Sequence, residues 1–208
     1  SQFQAAGTAI STALPITSAW AMIIGASIVI AYVFLGGFWA ASVTDALQGL
    51  MMLAVALILP AVALVAVGGP SELISGLAAL DQPELLRWVD QPGLFTAVVF
   101  VAGLFGIGLG YPGQPHVVNR FMALRSAREV RFARTVALSW ATLIYLGMVV
   151  LGWSGRVLLP GLDDGESVLL ALSVELLPAV VGGIITGGVL AAIMSTSDSQ
   201  LLVAGGSV

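Results

Sequence analysis

Within GGVLAAIMSTSDSQLL, from Gly187 to Leu202, four small residues recur at helical spacing: Ala192, Ser195, Thr196 and Ser199. At 3.6 residues per turn they share one face, continued towards the N-terminus by Gly188. Spacing alone leaves two readings open. Serine and threonine hydroxyls are common interhelical glue in membranes. Equally, hydroxyls and main-chain carbonyls are the neutral oxygens that a hard cation such as Na⁺ requires. Asp198 stands off this face. A carboxylate within a membrane span is costly and points to function, unless water reaches it at the helix end. Asp45 heads TDALQ, where Asp45 and Gln48 have capping-box spacing. It is expected either to cap a helix or to handle ions.

A second stretch, GIGLGYPGQPHVVNR from Gly106 to Arg120, closes a hydrophobic run with helix breakers. Gly103, Gly106, Gly108, Gly110 and Gly113 crowd against Pro112 and Pro115. A packing surface of small residues would account for the glycines. It leaves the prolines unexplained, since each lacks a donor and disfavours helix at the residue before it. The alternative is a discontinuous helix: an apolar first half, an unwound GLGYPG, and a second half from about Pro115. Bare backbone at membrane depth is tolerated where it lines a cavity or binds something. Tyr111, with a flat apolar body and a hydroxyl, is placed to cover such a gap. Histidine is the side chain that can switch charge near neutral pH, but His116, beside a helix start, reads first as a structural hydrogen bonder.

These residues need elements to hold them. The chain has 208 residues, 59% hydrophobic and 9% charged, far from the roughly 25% charged of soluble domains. Five runs approach or reach the roughly 20 residues that cross a hydrocarbon core. Spans are predicted at about Pro15–Leu35, Thr44–Gly68 with Pro60 inside, Leu94–Tyr111, between Phe132 and Trp153, and between Pro178 and Val203. Residues 1–12 are expected to end a further, truncated span. No signal peptide is read at Ser1, and the chain without an initiator methionine looks cut from something longer. There is no cysteine, so disulfides and thiolate metal sites are excluded. The single expected domain is therefore an all-α, multi-span membrane unit.

Every one of the 7 basic residues is arginine. Arg120, Arg125, Arg128, Arg131 and Arg134 fall in the connector between the third and fourth spans. The positive-inside rule makes that connector cytoplasmic. Alternation then places Gly69–Gly93, with Glu72, Asp81, Glu84 and Asp90, and the acidic loop Leu159–Ser167 outside. A nucleic-acid partner is not expected, because no aromatic interleaving accompanies the arginines.

With those residues in hand, the sequence closely resembles the sodium:solute symporter family, and its sodium/proline branch most specifically. The resemblance rests on FLGGFWAASVTDALQGLMM, GLGYPGQPHVVNRFMA and AAIMSTSDSQLLV in family order, and it covers essentially the whole chain. It implies a transporter core of two inverted five-helix repeats, of which this chain would hold the end of core helix three through core helix eight. It implies sodium-coupled uptake of a small organic solute by alternating access in a cell membrane, with the missing core helices as partners; a bacterial inner membrane is the expected setting. Sodium would be held by the Ala192 carbonyl and the Ser195 and Thr196 hydroxyls, with Asp45, Asp198 and Ser199 as weaker candidates. The solute, an amino acid such as proline or a carboxylate, would meet Tyr111, Pro115, Gly110 and Ile107. Ile107 stands where the proline-type pattern has tryptophan, and Asp198 also departs from that pattern. The same module is found fused to signalling kinases, so a sensor is the competing reading, and an inert fragment a third.

Overall fold

The computed structural model describes residues 7, 10, 11, 16–80, 93–162 and 164–206. Asp81, Glu84, Asp90 and most of the truncated first span lie outside those residues. Seven α-helices are delimited among the described residues: α1 (Ser18–Val67), α2 (Pro70–Ala79), α3 (Leu94–Gly110), α4 (Pro115–Met122), α5 (Ala127–Leu158), α6 (Val168–Leu176) and α7 (Ala179–Gly206). Four of them (α1, α5, α7, and α3 with the turn that follows it) are long and apolar enough to cross a membrane. The expected all-α, multi-span class is what is found.

Helix α1 holds the first two predicted spans. Its 50 residues would reach about 75 Å if straight, more than twice a hydrocarbon core. It is not straight. Gly37 has φ 54° and ψ −145°, a conformation open to glycine and strained for other residues. The Thr44 hydroxyl faces the Tyr32 phenol, although twelve residues of straight helix would separate them by about 18 Å. The chain therefore doubles back at Gly37 into a first limb and a second limb. The second limb ends at Gly68, whose left-handed φ of 104° lets the Gly69 amide reach the Leu64 carbonyl at 2.9 Å, a glycine C-cap.

Of the two roles expected for Asp45, capping a helix or handling ions, the structure rules out the N-cap. Asp45 lies two turns inside the second limb, because the apolar run FWAAS continues the helix upstream of it. The core forms where the second limb, α5, α6 and α7 meet, through Val55, Leu59, Ala63, Leu151, Leu172 and Ile185. Two close approaches make this packing possible. Pro60 has no amide for the Ala56 carbonyl, and Gly147 of α5 packs against that oxygen so closely that an added Cβ would stand 2.0 Å from it. Gly188 of α7 abuts Val55 in the same way, an added Cβ falling 2.7 Å from its side chain. Small residues at these crossings replace the hydrophobic drive that lipid does not supply.

Two short helices were not anticipated. Helix α2 begins with a proline in its first turn and buries Leu73 and Leu77, four residues apart on one face. Helix α6 buries Leu172 and Ser173. Helix α5 starts where Ser126 accepts from the Glu129 amide at 3.3 Å while the Glu129 carboxylate accepts from the Arg125 amide at 2.8 Å, a variant of the capping box.

Candidate functional site

The break in the third span lies within GLGYPG, but starts at Tyr111 and not at Gly108. Helix α3 continues through Gly110, and the interruption is a 3₁₀ turn at Tyr111–Gly113 followed by extended Gln114. A glycine inside a helix costs only about 1 kcal/mol, and without competing water the backbone keeps its own hydrogen bonds. The prolines set the position. Pro112 has no amide for the Gly108 carbonyl and Pro115 none for the Tyr111 carbonyl, which the Gln114 amide takes instead at 3.1 Å. Helix α4 then starts at Pro115, as predicted, with proline in the first turn where its missing donor costs nothing. Gly110 is thus helical rather than unwound.

Helix α3 buries none of its residues, and no described atom approaches the missing Cβ of Gly103, Gly106, Gly108, Gly110 or Gly113. The glycine surface is therefore not used for packing among the described residues. Ile107 and Tyr111 are 74% and 57% exposed. The Tyr111 ring meets the His116 imidazole edge-on at 6.2 Å between centroids. The proposed solute residues Ile107, Gly110, Tyr111 and Pro115 follow one another along the break and stand open.

On α7 the hydroxyl stripe forms as spaced. Ser195 and Thr196 both donate to the Ala192 carbonyl, at 3.0 and 3.1 Å. All three are half-buried. Each hydroxyl keeps acceptor lone pairs after that donation.

Asp198, Ser199 and Asp45 fall into a second cluster at the next turn. Asp198 is fully buried, and the Tyr32 hydroxyl donates to its Oδ2 at 2.7 Å. Burial excludes the hydrated helix end considered from the sequence. Arg120 of α4 reaches across to donate to Asp45 Oδ2 and, at 2.6 Å, to Ser199 Oγ. The Ser199 hydroxyl itself donates to the Ser195 carbonyl at 2.8 Å, which ties the cluster to the hydroxyl stripe. Two buried oxygens on one face of α1, Asp45 Oδ1 and Gln48 Oε1, have no hydrogen-bond partner among the described residues. A narrow cleft between the three helices is lined by Asp45, His116, Asn119, Arg120 and Ser199.

Sequence reasoning missed Tyr32 and gave Arg120 a purely topological role. The available signals were a lone phenol inside an apolar span, which needs a partner there, and an arginine one turn and a half beyond a proline helix start.

The discontinuous third span, the oxygen stripe and the buried carboxylates together are built like a membrane transporter that handles ions. A profile of the sodium:solute symporter family matches residues 1–208. The chain belongs to that family, which is one of transporters and not of enzymes. It is 35% identical over 214 positions to sodium/proline symporter 2 of Staphylococcus saprophyticus, an alignment covering 100% of this chain and 40% of that protein. It is 36% identical over 214 positions to the sodium/proline symporter of Staphylococcus aureus, with the same coverage. The chain thus spans 40% of the length of these relatives. No solved structure matches it.

Proposed function

We propose that this chain is the ion-handling part of a sodium-coupled symporter for a small organic solute, an amino acid such as proline or a carboxylate, working by alternating access. The observation that carries the reading is the convergence of the Ser195 and Thr196 hydroxyls on the Ala192 carbonyl. This donor set suits Na⁺: three neutral oxygens one turn apart, partly withdrawn from solvent, on a helix that tolerates close neighbours. The remaining oxygens would come from the core helix that the family places opposite. Asp45, Asp198 and Ser199 are the secondary sodium candidates, supported by the two unpartnered oxygens of Asp45 and Gln48.

The solute is assigned to the α3–α4 break, at Ile107, Gly110, Tyr111 and Pro115. Both curated relatives named above carry proline in their names, which supports an amino acid. Ile107 removes a bulky aromatic and leaves room for a different side chain. We assign the arginine-bearing ends of the spans to the cytoplasm, because that side holds Arg120, Arg125, Arg128, Arg131 and Arg134. The inverted-repeat core and a bacterial inner membrane belong to the same proposal.

Uptake of radiolabelled amino acids and carboxylates into proteoliposomes of the full-length protein, with and without an inward sodium gradient, tests it. One solute accumulating only with the gradient is expected. Equal accumulation of every solute under both conditions would overturn the reading.

A further inference from the structure

Helix α5 carries a charged surface that neither the ion site nor the solute site uses. Arg128, Arg131 and Arg134 are exposed and form no ion pair with a described residue, as does Arg125 just before the helix. Their direction follows from helix geometry. Trp140 donates to the Gly49 carbonyl of α1 at 3.1 Å, Gly147 abuts Ala56, and Leu151 is in the core. These three inward residues lie about 160–180° around α5 from Arg131. The arginines therefore point away from the described bundle. Glu129, the one acid of this segment, lies about 160° from Arg131 and is engaged by the Arg125 amide, so nothing opposes the positive charge on the outer face.

The same face continues as apolar surface. Leu138 and Tyr145, 62% and 72% exposed, lie within about 40° of Arg131. The two threonines on this line, Thr135 and Thr142, turn their hydroxyls into their own helix, at 3.0 and 2.8 Å from the Arg131 and Leu138 carbonyls. Depth is fixed independently. No charged residue occurs between Arg134 and Arg156, a rise of about 33 Å, close to the thickness of a hydrocarbon core. By that length Arg134 would mark one edge of the hydrocarbon, with Arg125, Arg128 and Arg131 in the headgroup layer above it.

We propose that the outer face of α5 is a docking site for an anionic glycerophospholipid, with its phosphate among Arg128, Arg131 and Arg134 and an acyl chain along Leu138 and Tyr145. Arginine suits the role because its planar fork meets phosphate oxygens in pairs. Charge and apolar surface occur in the order and at the depth that a headgroup and its chain require.

The test is native mass spectrometry of the full-length protein titrated with phosphatidylglycerol or phosphatidylcholine of the same chains. Wild type should bind phosphatidylglycerol more tightly. R131Q should weaken that binding roughly fivefold, the effect of about 1 kcal/mol per arginine near a membrane surface. R131Q leaves the other connector arginines to hold the topology. R156Q, which removes one charge at the opposite end of α5, should change nothing. Equal binding of the two lipids by wild type, equal losses in R131Q and R156Q, or displacement of the lipid by free glycerol phosphate alone would each overturn the proposal.

Discussion

The Tyr32 hydroxyl donates to the Asp198 carboxylate at 2.7 Å, joining residues 166 positions apart in the chain. Asp198 is fully buried, and its other side-chain donor, the Ser199 hydroxyl, lies farther away at 3.3 Å. Tyr32→Phe keeps the ring and deletes the Tyr32 donor. A lost hydrogen bond to a charged group costs about 1.5–3 kcal/mol, so the full-length variant should melt several degrees lower. Asp198→Asn in the same background should recover part of that loss, and thermal melts of the three variants decide it.

The Arg120 contacts make a second expectation. The guanidinium side chain is 48% exposed and that of Asp45 only 10%, so removing the arginine strands the more deeply placed partner. Allowing for solvent screening on the arginine side, Arg120→Gln should destabilise by about 1–2 kcal/mol. The Arg120→Gln/Asp45→Asn pair should be more stable than the sum of the single effects. A double-mutant cycle with no coupling would mean that the ion pair is inconsequential.

Close packing at Gly147 can be tested against an internal control. An added Cβ at Gly147 would stand 2.0 Å from the Ala56 carbonyl oxygen, whereas Gly152 on the same helix has no described atom within 4 Å. Gly147→Ala should cost about 1–3 kcal/mol by overpacking. Gly152→Ala should leave stability unchanged or raise it by up to about 1 kcal/mol, the helix-propensity difference. Similar unfolding curves for the two would show that α5 and α1 are not in this contact.

For the ion site, the Ser195→Ala/Thr196→Ala double variant should raise the half-saturating sodium concentration for uptake at least about tenfold, the cost of roughly 1.4 kcal/mol of lost ion binding. Solute affinity at saturating sodium should change little. An unaltered sodium dependence would remove Ala192, Ser195 and Thr196 from the proposal.

For the solute site, Tyr111→Ala should raise the solute KM by about tenfold or more, as expected when a large aromatic contact is lost, while moving sodium activation much less. A reversed pattern in the same uptake assays would place Tyr111 on the ion pathway instead.

The spans were legible in the sequence because an uninterrupted apolar run carries its own length rule. The reversal between the first two spans was readable as a short connector, though its turning on the single residue Gly37 was not. Pro112 and Pro115 announced the break; the glycines misplaced its start, since a helix in lipid keeps glycine when a chain in water would release it. The stripe of Ala192, Ser195 and Thr196 followed directly from periodicity. The Tyr32–Asp198 and Arg120–Asp45 pairs did not, because long-range contacts depend on how helices cross, and no local spacing encodes a crossing. Helices α2 and α6 were missed as too short to announce themselves by hydropathy.

The doubling back of α1 at Gly37 brings Tyr32 from one limb and Asp45 from the other to adjacent residues of a single helix, Asp198 and, through Arg120, Ser199. Each limb is therefore tied to α7 by a polar contact of its own, and moving either limb away from α7 would break the contact that limb makes.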